Sequence, residues 1–96
     1  MALQHDPQRH RFFVDVPGGT AELTYRRPDP KTVELLHTEV PEAAAGQGLG
    51  GKLAESAFVW ARGEGLRVIP TCPFVRKWLE RHPGESDLVL AGTGAK

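Results

Sequence analysis

The pattern of hydrophobic and polar residues divides the chain into two parts with different periods. Over residues 12–40, apolar side chains tend to alternate with polar ones, the two-residue period of strands with one wet face. Over residues 49–63, apolar side chains recur at helical spacing, which predicts an amphipathic helix lying on a sheet. The change of period therefore predicts a fold in which a sheet precedes a crossover helix.

The first part predicts three strands that form an antiparallel meander. Residues 12–16 are aromatic and β-branched, and Pro17-Gly18-Gly19 supplies the backbone conformations of a hairpin turn. Residues 21–26 alternate, and a proline-rich turn over residues 27–31 separates them from a third strand over residues 32–40. Strict alternation on that strand would place four residues on one face and their neighbours on the other. The first set is Val33, Leu35, His37 and Glu39; the second is Glu34, Leu36, Thr38 and Val40.

The second part predicts a crossover helix, a strand and a further helix. The helix over residues 49–63 ends at glycines, and residues 66–70 form a strand expected to lie parallel to the third strand. Pro73 suits the first position of a second helix, which ends at Pro83-Gly84. The apolar side chains expected to lie in the core or on the apolar side of these helices include Phe58, Trp60, Phe74, Val75, Trp78 and Leu79.

These elements predict one mixed α/β (α+β) domain over residues 1–96. Its parts are a three-stranded antiparallel meander, a βαβ unit and a C-terminal helix. Residues 1–11 and 91–96 carry no periodic pattern and are expected to be frayed, whereas residues 86–90 are expected to pair weakly as an edge strand.

Composition narrows the possible partners and the compartment. The 96 residues carry 12 Lys and Arg against 12 Asp and Glu, and they contain no basic run. We therefore expect no nucleic-acid partner, because such affinity comes largely from excess positive charge. No apolar run approaches the roughly 20 residues that cross a bilayer, so no membrane partner is expected. A single cysteine and the lack of an apolar leader predict a cytoplasmic protein without an internal disulfide.

A glycine-rich loop between the third strand and the long helix is the most distinctive feature. Its residues are Gly46, Gln47, Gly48, Leu49, Gly50, Gly51 and Lys52. Without Cβ atoms, such a backbone can turn tightly and point several N–H groups at one anion. The helix dipole stabilises an anion at that position by about 0.3–1 kcal/mol. The loop therefore predicts a phosphate-binding site, and a flexible linker with a glycine-rich cap is the alternative.

Two nucleotide-binding patterns match the loop incompletely. Gly46, Gly51 and Lys52 fit G-x-x-x-x-G-K, but Leu53 follows where a Ser or Thr would hold Mg²⁺. The spacing G-x-G-x-x-G is also present, yet the strand over residues 66–70 ends without the acid that would bind a ribose hydroxyl. Neither pattern predicts a metal site.

A third pattern covers more of the chain. Glu39-Val40-Pro41, the loop and the apolar helix after it resemble the acetyl-coenzyme A segment of GNAT-type N-acetyltransferases, whose motif is [QR]-x-x-G-x-[GA]. Gly48 and Gly50 occupy the glycine positions, and Ala45 stands at the first position. The resemblance is strongest to minimal single-domain members and covers about residues 12–82. It implies that acetyl-CoA or coenzyme A binds here, with its pyrophosphate on the loop, its pantetheine on the backbone of Val40 and Lys52 at a phosphate.

The same resemblance implies acyl transfer to an unidentified amine. A protonated amine must lose its proton first, since Lys-like amines titrate near about 10.4. Glu39 and His37 are the candidate bases, expected on the strand face that lines the cofactor cleft, and the alternative is a structural role. Cys72 is the predicted N-cap of the second helix, where the dipole favours a thiolate that could accept the acyl group. Its alternative role is that of a small buried residue. A non-catalytic module that binds coenzyme A or a protein is the alternative function.

Overall fold

The computed structural model describes residues 2–90. Within these residues five strands form one sheet, and their order in the sheet is their order along the chain. Strands β1 to β4 pair antiparallel, and β5 lies parallel to β4. The predicted meander and βαβ unit are confirmed, with one antiparallel strand more than expected. The strands are β1 Gln4–Asp6, β2 Arg11–Val16, β3 Gly19–Asp29, β4 Thr32–Glu39 and β5 Arg67–Pro70.

The additional strand, β1, lies where the sequence predicted a frayed end. It pairs with β2 through residues 11–13. The ring of His5 stacks on that of Phe12 with centroids 4.1 Å apart, and His5 Nε2 lies 2.6 Å from the hydroxyl of Tyr25. The prediction of an unpaired lead-in over residues 1–11 is wrong because three residues are too few to show alternation. The contacts that hold this strand also come from residues distant in sequence.

The two hairpins differ in how closely they follow the predicted turns. The turn between β2 and β3 lies at Pro17 and Gly18 as predicted, and Gly18 has φ 93°. The second turn is tighter than the predicted residues 27–31, because β3 continues to Asp29. The backbone N–H of Lys31 donates to the Asp29 carboxylate at 2.8 Å, which closes the turn.

A bulge in β4 changes which side chains share a face. Thr24 pairs with His37 but the next residue, Tyr25, pairs with Leu35, so Leu36 is an extra residue in β4. The prediction that Val33, Leu35, His37 and Glu39 share one face is therefore wrong. Leu35 and Thr38 lie on the face that packs against the helices, since their cross-strand partners Tyr25 and Leu23 are buried there. His37 and Glu39 lie on the other face.

In the part of the chain that the structure describes, two α-helices cover one face of the sheet. Helix α1 spans Leu49–Glu64 and helix α2 spans Pro73–Arg81, slightly shorter than predicted. The rings of Phe58 and Trp78 join them at 5.2 Å between centroids. The predicted apolar arc of α1 is confirmed, and its fully buried members are Leu53, Ala54, Ala57, Phe58 and Ala61. Within residues 2–90, neither helix has the length and apolar character that a membrane crossing requires.

The segment after α2 forms less sheet than predicted. A 3₁₀ helix spans Pro83–Leu88, and Val89 makes only one isolated parallel bridge, to Val68 of β5. The Arg62 guanidinium of α1 donates to Asp87 and Glu85, which attaches this segment to the core helices. The expectation for residues 91–96 lies outside the described residues.

Candidate functional site

The glycine loop presents backbone donors at the start of α1. Gly46 and Gly48 have φ of 85° and 74°, the left-handed region that favours glycine, and Gly48 is the N-cap. The first hydrogen bond of the helix runs from Lys52 N–H to the carbonyl of Gly48 at 3.1 Å. The N–H groups of residues 49–51 therefore have no carbonyl one turn earlier to bind. This end of the helix is a set of donors with a partial positive charge.

A cleft of about 410 Å³ opens onto these donors, a size typical of small-molecule sites. The structure thus brings Val40 and most of the predicted loop residues together, whereas Gln47 is exposed and Lys52 lines a second cleft. The residues lining the smaller cleft are Thr38, Val40, Ala44, Ala45, Gly46, Gly48, Leu49, Gly50, Gly51 and Phe74.

The cleft lies where β4 and β5 stop pairing. The parallel register runs from Thr32 and Arg67 to Leu35 and Pro70, and a final backbone bond joins Cys72 N–H to the Leu35 carbonyl at 2.9 Å. Beyond that bond β4 continues toward the glycine loop, and the segment that follows β5 enters α2. Pairing that stops at Leu35 leaves the backbone of residues 36–40 without β5 as a neighbour.

Glu34 stabilises the strands just before they separate. Its carboxylate accepts hydrogen bonds from the Thr71 hydroxyl and the Arg26 guanidinium, and these donors hold the pKa of Glu34 below its usual value. Arg26 belongs to β3 and Thr71 follows β5, so one carboxylate joins three adjacent chain segments.

Cys72 is the N-cap of α2, as the sequence predicts, with Pro73 at the first helical position. Its side chain makes no capping hydrogen bond and is 2% exposed. The Sγ atom lies 3.3 Å from the hydroxyl oxygen of Thr38, which is one of the residues lining the smaller cleft. The thiol is therefore buried next to β4, with the Thr38 hydroxyl as its polar contact.

His37 and Glu39 lie on the sheet face opposite the helices. Glu39 is the cross-strand partner of Glu22, whose carboxylate accepts a 2.8 Å hydrogen bond from Arg11. Both His37 and Glu39 are exposed, and neither is among the residues that line the smaller cleft. The expectation that they face the cofactor cleft is wrong because the bulge at Leu36 reverses the alternation.

Two residues at the cleft have positions that the sequence did not predict. Thr38 contacts Cys72 because the bulge turns it toward the helices, and no local pattern indicates that bulge. Phe74 was expected on the apolar side of α2, yet it is 42% exposed. Its ring lies on Gly50, where an added Cβ would come within 2.7 Å of Phe74 Cζ. Gly50 was the sequence signal that could have indicated this contact, because a side chain that lies directly on a helix backbone often requires glycine there.

Comparisons with known proteins agree with this arrangement. Residues 11–88 match a family model described as GCN5-related N-acetyl-transferase. The chain is 36% identical to Protein NATD1 of Xenopus tropicalis over 83 residues, which cover 84% of this chain and 76% of that protein. It is 34% identical to Protein NATD1 of Homo sapiens, with 84% and 74% covered.

A solved structure has the same fold. The NMR solution structure of a GCN5-like protein from Staphylococcus aureus superposes with a TM-score of 0.74 at 28% identity, covering 93% of this chain and 87% of that one. The residues matched by the family model include the glycine loop and the separating strands. The chain belongs to the GCN5-related N-acetyltransferase family.

Proposed function

We propose that this chain binds acetyl-CoA through the start of α1 and transfers the acetyl group to an amine. The observation that carries the proposal is the row of backbone donors over residues 49–51, which opens into the smaller cleft beside the end of β4. A pyrophosphate needs several converging donors, and a helix start supplies them together with its dipole.

The residues of the loop fit such a ligand. Gly46 and Gly48 have open space where a Cβ would be, so a ligand can approach their backbone closely. Ala45 stands where the family motif has Gln or Arg, so binding here depends on the amides rather than on a side chain at that position. Val40 lies beyond the point where β4 and β5 stop pairing, so that side of its backbone is open to the pantetheine arm, and the thioester at the end of the arm supplies an activated acetyl group.

The open face of the sheet suits the acceptor amine. Glu39 and His37 lie there, across β4 from the smaller cleft, and either can take the proton that an ammonium must lose. The neutral amine nitrogen would then attack the thioester carbonyl carbon, so that a C–N bond forms and the C–S bond breaks, and the proton lost from that nitrogen would go to the leaving thiolate. Cys72 is the alternative acceptor: its thiolate would form an acyl-cysteine in the same exchange before the amine attacks.

A non-catalytic coenzyme A-binding or protein-interaction module is the second candidate. It is favoured by the burial of Cys72, which is 2% exposed, because a thiol without access to the thioester cannot exchange with it. Release of free thiol from acetyl-CoA, measured with a panel of amines, separates the two candidates. Turnover above background supports transfer, whereas saturable binding without thiol release supports the module.

Binding itself is tested by calorimetric titration with coenzyme A in two matched glycine variants of α1. In Gly50→Leu the new side chain enters the cleft and contacts Phe74, so we expect the heat of binding to disappear. In Gly63→Leu the side chain meets open space at the other end of the helix, so binding should stay at the wild-type level. Circular dichroism and urea unfolding establish that both variants fold. Equal binding by the two variants contradicts the proposal.

A further inference from the structure

The smaller cleft has one polar side chain in its lining. Among the described residues that form it, Thr38 alone carries a side-chain hydrogen-bonding group, and the others are glycine, alanine, valine, leucine and phenylalanine. The candidate bases His37 and Glu39 lie on the opposite face of β4. A reacting group inside this cleft that needs a side-chain donor therefore depends on the Thr38 hydroxyl.

Thr38 lies toward the end of the cleft at which β4 and β5 come together. The last backbone bond between the two segments joins Cys72 N–H to the Leu35 carbonyl, and Thr38 follows Leu35 on β4. The backbone donors of the glycine loop lie toward the other end, beyond Val40. A carrier whose pyrophosphate lies on those donors and whose arm passes Val40 therefore extends its thioester toward Thr38.

The Thr38 hydroxyl contacts the buried thiol of Cys72. The Sγ atom lies 3.3 Å from Thr38 Oγ1, and the Cys72 side chain makes no capping hydrogen bond to α2. Either atom can be the donor in this contact, but sulfur is a weak acceptor. The arrangement in which the S–H donates to Thr38 Oγ1 therefore leaves the hydroxyl hydrogen for a stronger acceptor in the cleft. Cys72 itself is not among the residues that line the cleft.

We propose that Thr38 is a catalytic residue whose hydroxyl donates a hydrogen bond to the sulfur of the leaving thiolate, and that Cys72 is the positioning residue that orients this hydroxyl. The inference rests on the proposed acetyl transfer. As the C–S bond breaks, the bonding electron pair goes to the sulfur, and Thr38 keeps its own proton. The proton lost by the amine nitrogen then neutralises the thiolate. Because the lining of the cleft is otherwise apolar, a hydrogen bond to a charged sulfur is stronger there than in water.

The first test compares Thr38→Val with Thr38→Ser in acetyl transfer to the amine that gives the fastest thiol release. Valine has the shape of threonine without the hydroxyl, so we expect kcat to fall about 10–100-fold, as for loss of a hydrogen bond to a charged group. The KM for acetyl-CoA should change by less than about twofold, because the thiolate forms only as the bond breaks. Serine keeps the donor and should restore most of the wild-type kcat. An unchanged kcat in Thr38→Val, or an equal loss in Thr38→Ser, overturns the inference.

Thr32→Val is the matched control. Thr32 is a buried threonine at the other end of β4, where that strand pairs with Arg67, and it does not line the cleft. This variant makes the same chemical change on the same strand and should keep the wild-type kcat. Circular dichroism and urea unfolding establish that the variants fold. Equal losses of kcat in Thr32→Val and Thr38→Val would overturn the inference in favour of a general effect on the strand.

The second test measures the same contact without turnover. The pKa of the coenzyme A thiol is followed in the bound complex by the ¹³C chemical shift of the carbon next to its sulfur. A hydroxyl that donates to the thiolate stabilises the charged form, so the pKa of the bound thiol should be lower in the wild-type protein than in Thr38→Val. Equal pKa values in the two proteins would overturn the inference.

The positioning role of Cys72 is tested by Cys72→Ala. The Thr38 hydroxyl remains in this variant but loses its orienting contact, so kcat should fall by less than in Thr38→Val. An unchanged kcat overturns the positioning role. A larger loss than in Thr38→Val overturns it in favour of an acyl-cysteine, which mass spectrometry of the wild-type protein treated with acetyl-CoA detects.

The outcomes distinguish this inference from the proposed function. Turnover that is unaffected by Thr38→Val overturns the inference and leaves acetyl transfer intact. Binding of coenzyme A without turnover of any amine contradicts acetyl transfer, and the thiol titration then decides whether Thr38 donates to the sulfur. No binding of coenzyme A overturns both.

Discussion

Two regions of the molecule lie at opposite ends of α1 and differ in how their side chains pack. Toward the C-terminal end of α1, Trp60 packs in an aromatic cluster with Phe12 and Tyr25 at 5.6 and 5.2 Å and with His5 at 4.8 Å. At the start of α1, the chain has glycines, unpaired N–H groups and a half-exposed Phe74. The first region fills space with rings, and the second leaves space beside backbone donors.

The difference separates stability from binding. Aromatic pairs contribute about 0.5–1.5 kcal/mol each beyond their buried area, so we expect the cluster to stabilise the folded chain. The glycine loop makes few such contacts, and regions of this kind are the ones that open and bind ligands. Substitutions in the two regions should therefore affect different measurements.

The largest effect on stability is expected from Trp60→Ala. It removes the ring that contacts three others in the aromatic cluster, and truncation of a packed Trp typically costs about 3–5 kcal/mol. Because Trp60 is partly exposed, we expect about 3 kcal/mol in the free energy of unfolding, measured with urea. The neighbouring Val59→Ala is the control, since Val59 is 66% exposed and should change stability by less than about 0.5 kcal/mol. Similar losses in both variants would contradict the role of the cluster.

A smaller effect, of opposite sign at the two ends of α1, is expected for glycine substitutions. Gly48→Ala places a Cβ on a residue with φ 74° and should destabilise by about 1 kcal/mol. Gly63→Ala lies within the helix in open space and should stabilise by about 0.5–1 kcal/mol. Urea unfolding of the pair checks the signs, and a Gly48→Ala variant as stable as the wild type or more stable would be inconsistent with a left-handed N-cap.

The separating strands should show an acid-dependent stability that comes from Glu34. Its pKa is lowered by hydrogen bonds from Thr71 and Arg26, so the folded state binds its proton less readily than the unfolded chain. The contribution is complete above the ordinary pKa of 4.5 and is lost as the pH falls from 4.5 through the folded value. In Glu34→Gln the pH dependence of unfolding in this range should become shallower. An identical profile for the variant and the wild type would refute this assignment.

The smallest effect is expected in the aromatic cluster. Burial lowers the pKa of His5 below its ordinary 6.5, against an opposing effect of Asp6. The unfolded chain takes up the proton first, so stability should be highest above pH 6.5 and decrease as the pH falls from there to the folded pKa. Titration of the His5 ring by NMR measures that pKa directly. A value at or above 6.5 would contradict the prediction, and His5→Phe should remove this part of the pH dependence.

Much of the fold could be predicted from local patterns. The hairpin at Pro17 and Gly18, the buried arc of α1 and the parallel β5 all follow from short-range sequence signals. β1 could not be predicted, because its position depends on the contacts of His5 with rings on β2, β3 and α1. A three-residue strand carries no periodicity of its own.

The candidate site was predicted less completely than the fold. Its glycines are recognisable because backbone donors and close approach both require them. The side chains that share a face of β4 cannot be recognised in the same way. One extra residue, Leu36, places Thr38 next to Cys72 and places His37 and Glu39 on the opposite face. The exposure of Phe74 depends on Gly50, which lies in a different element. Both features result from tertiary pairing, which periodicity in a single sequence does not show.

The most direct test of the central claim is an NMR titration of the ¹⁵N-labelled protein with coenzyme A. We expect the backbone amide resonances of residues 48–51 to shift most and those of β1 and the aromatic cluster to stay in place. Saturation with no perturbation at residues 48–51 would contradict it, because the start of α1 would then not hold the pyrophosphate.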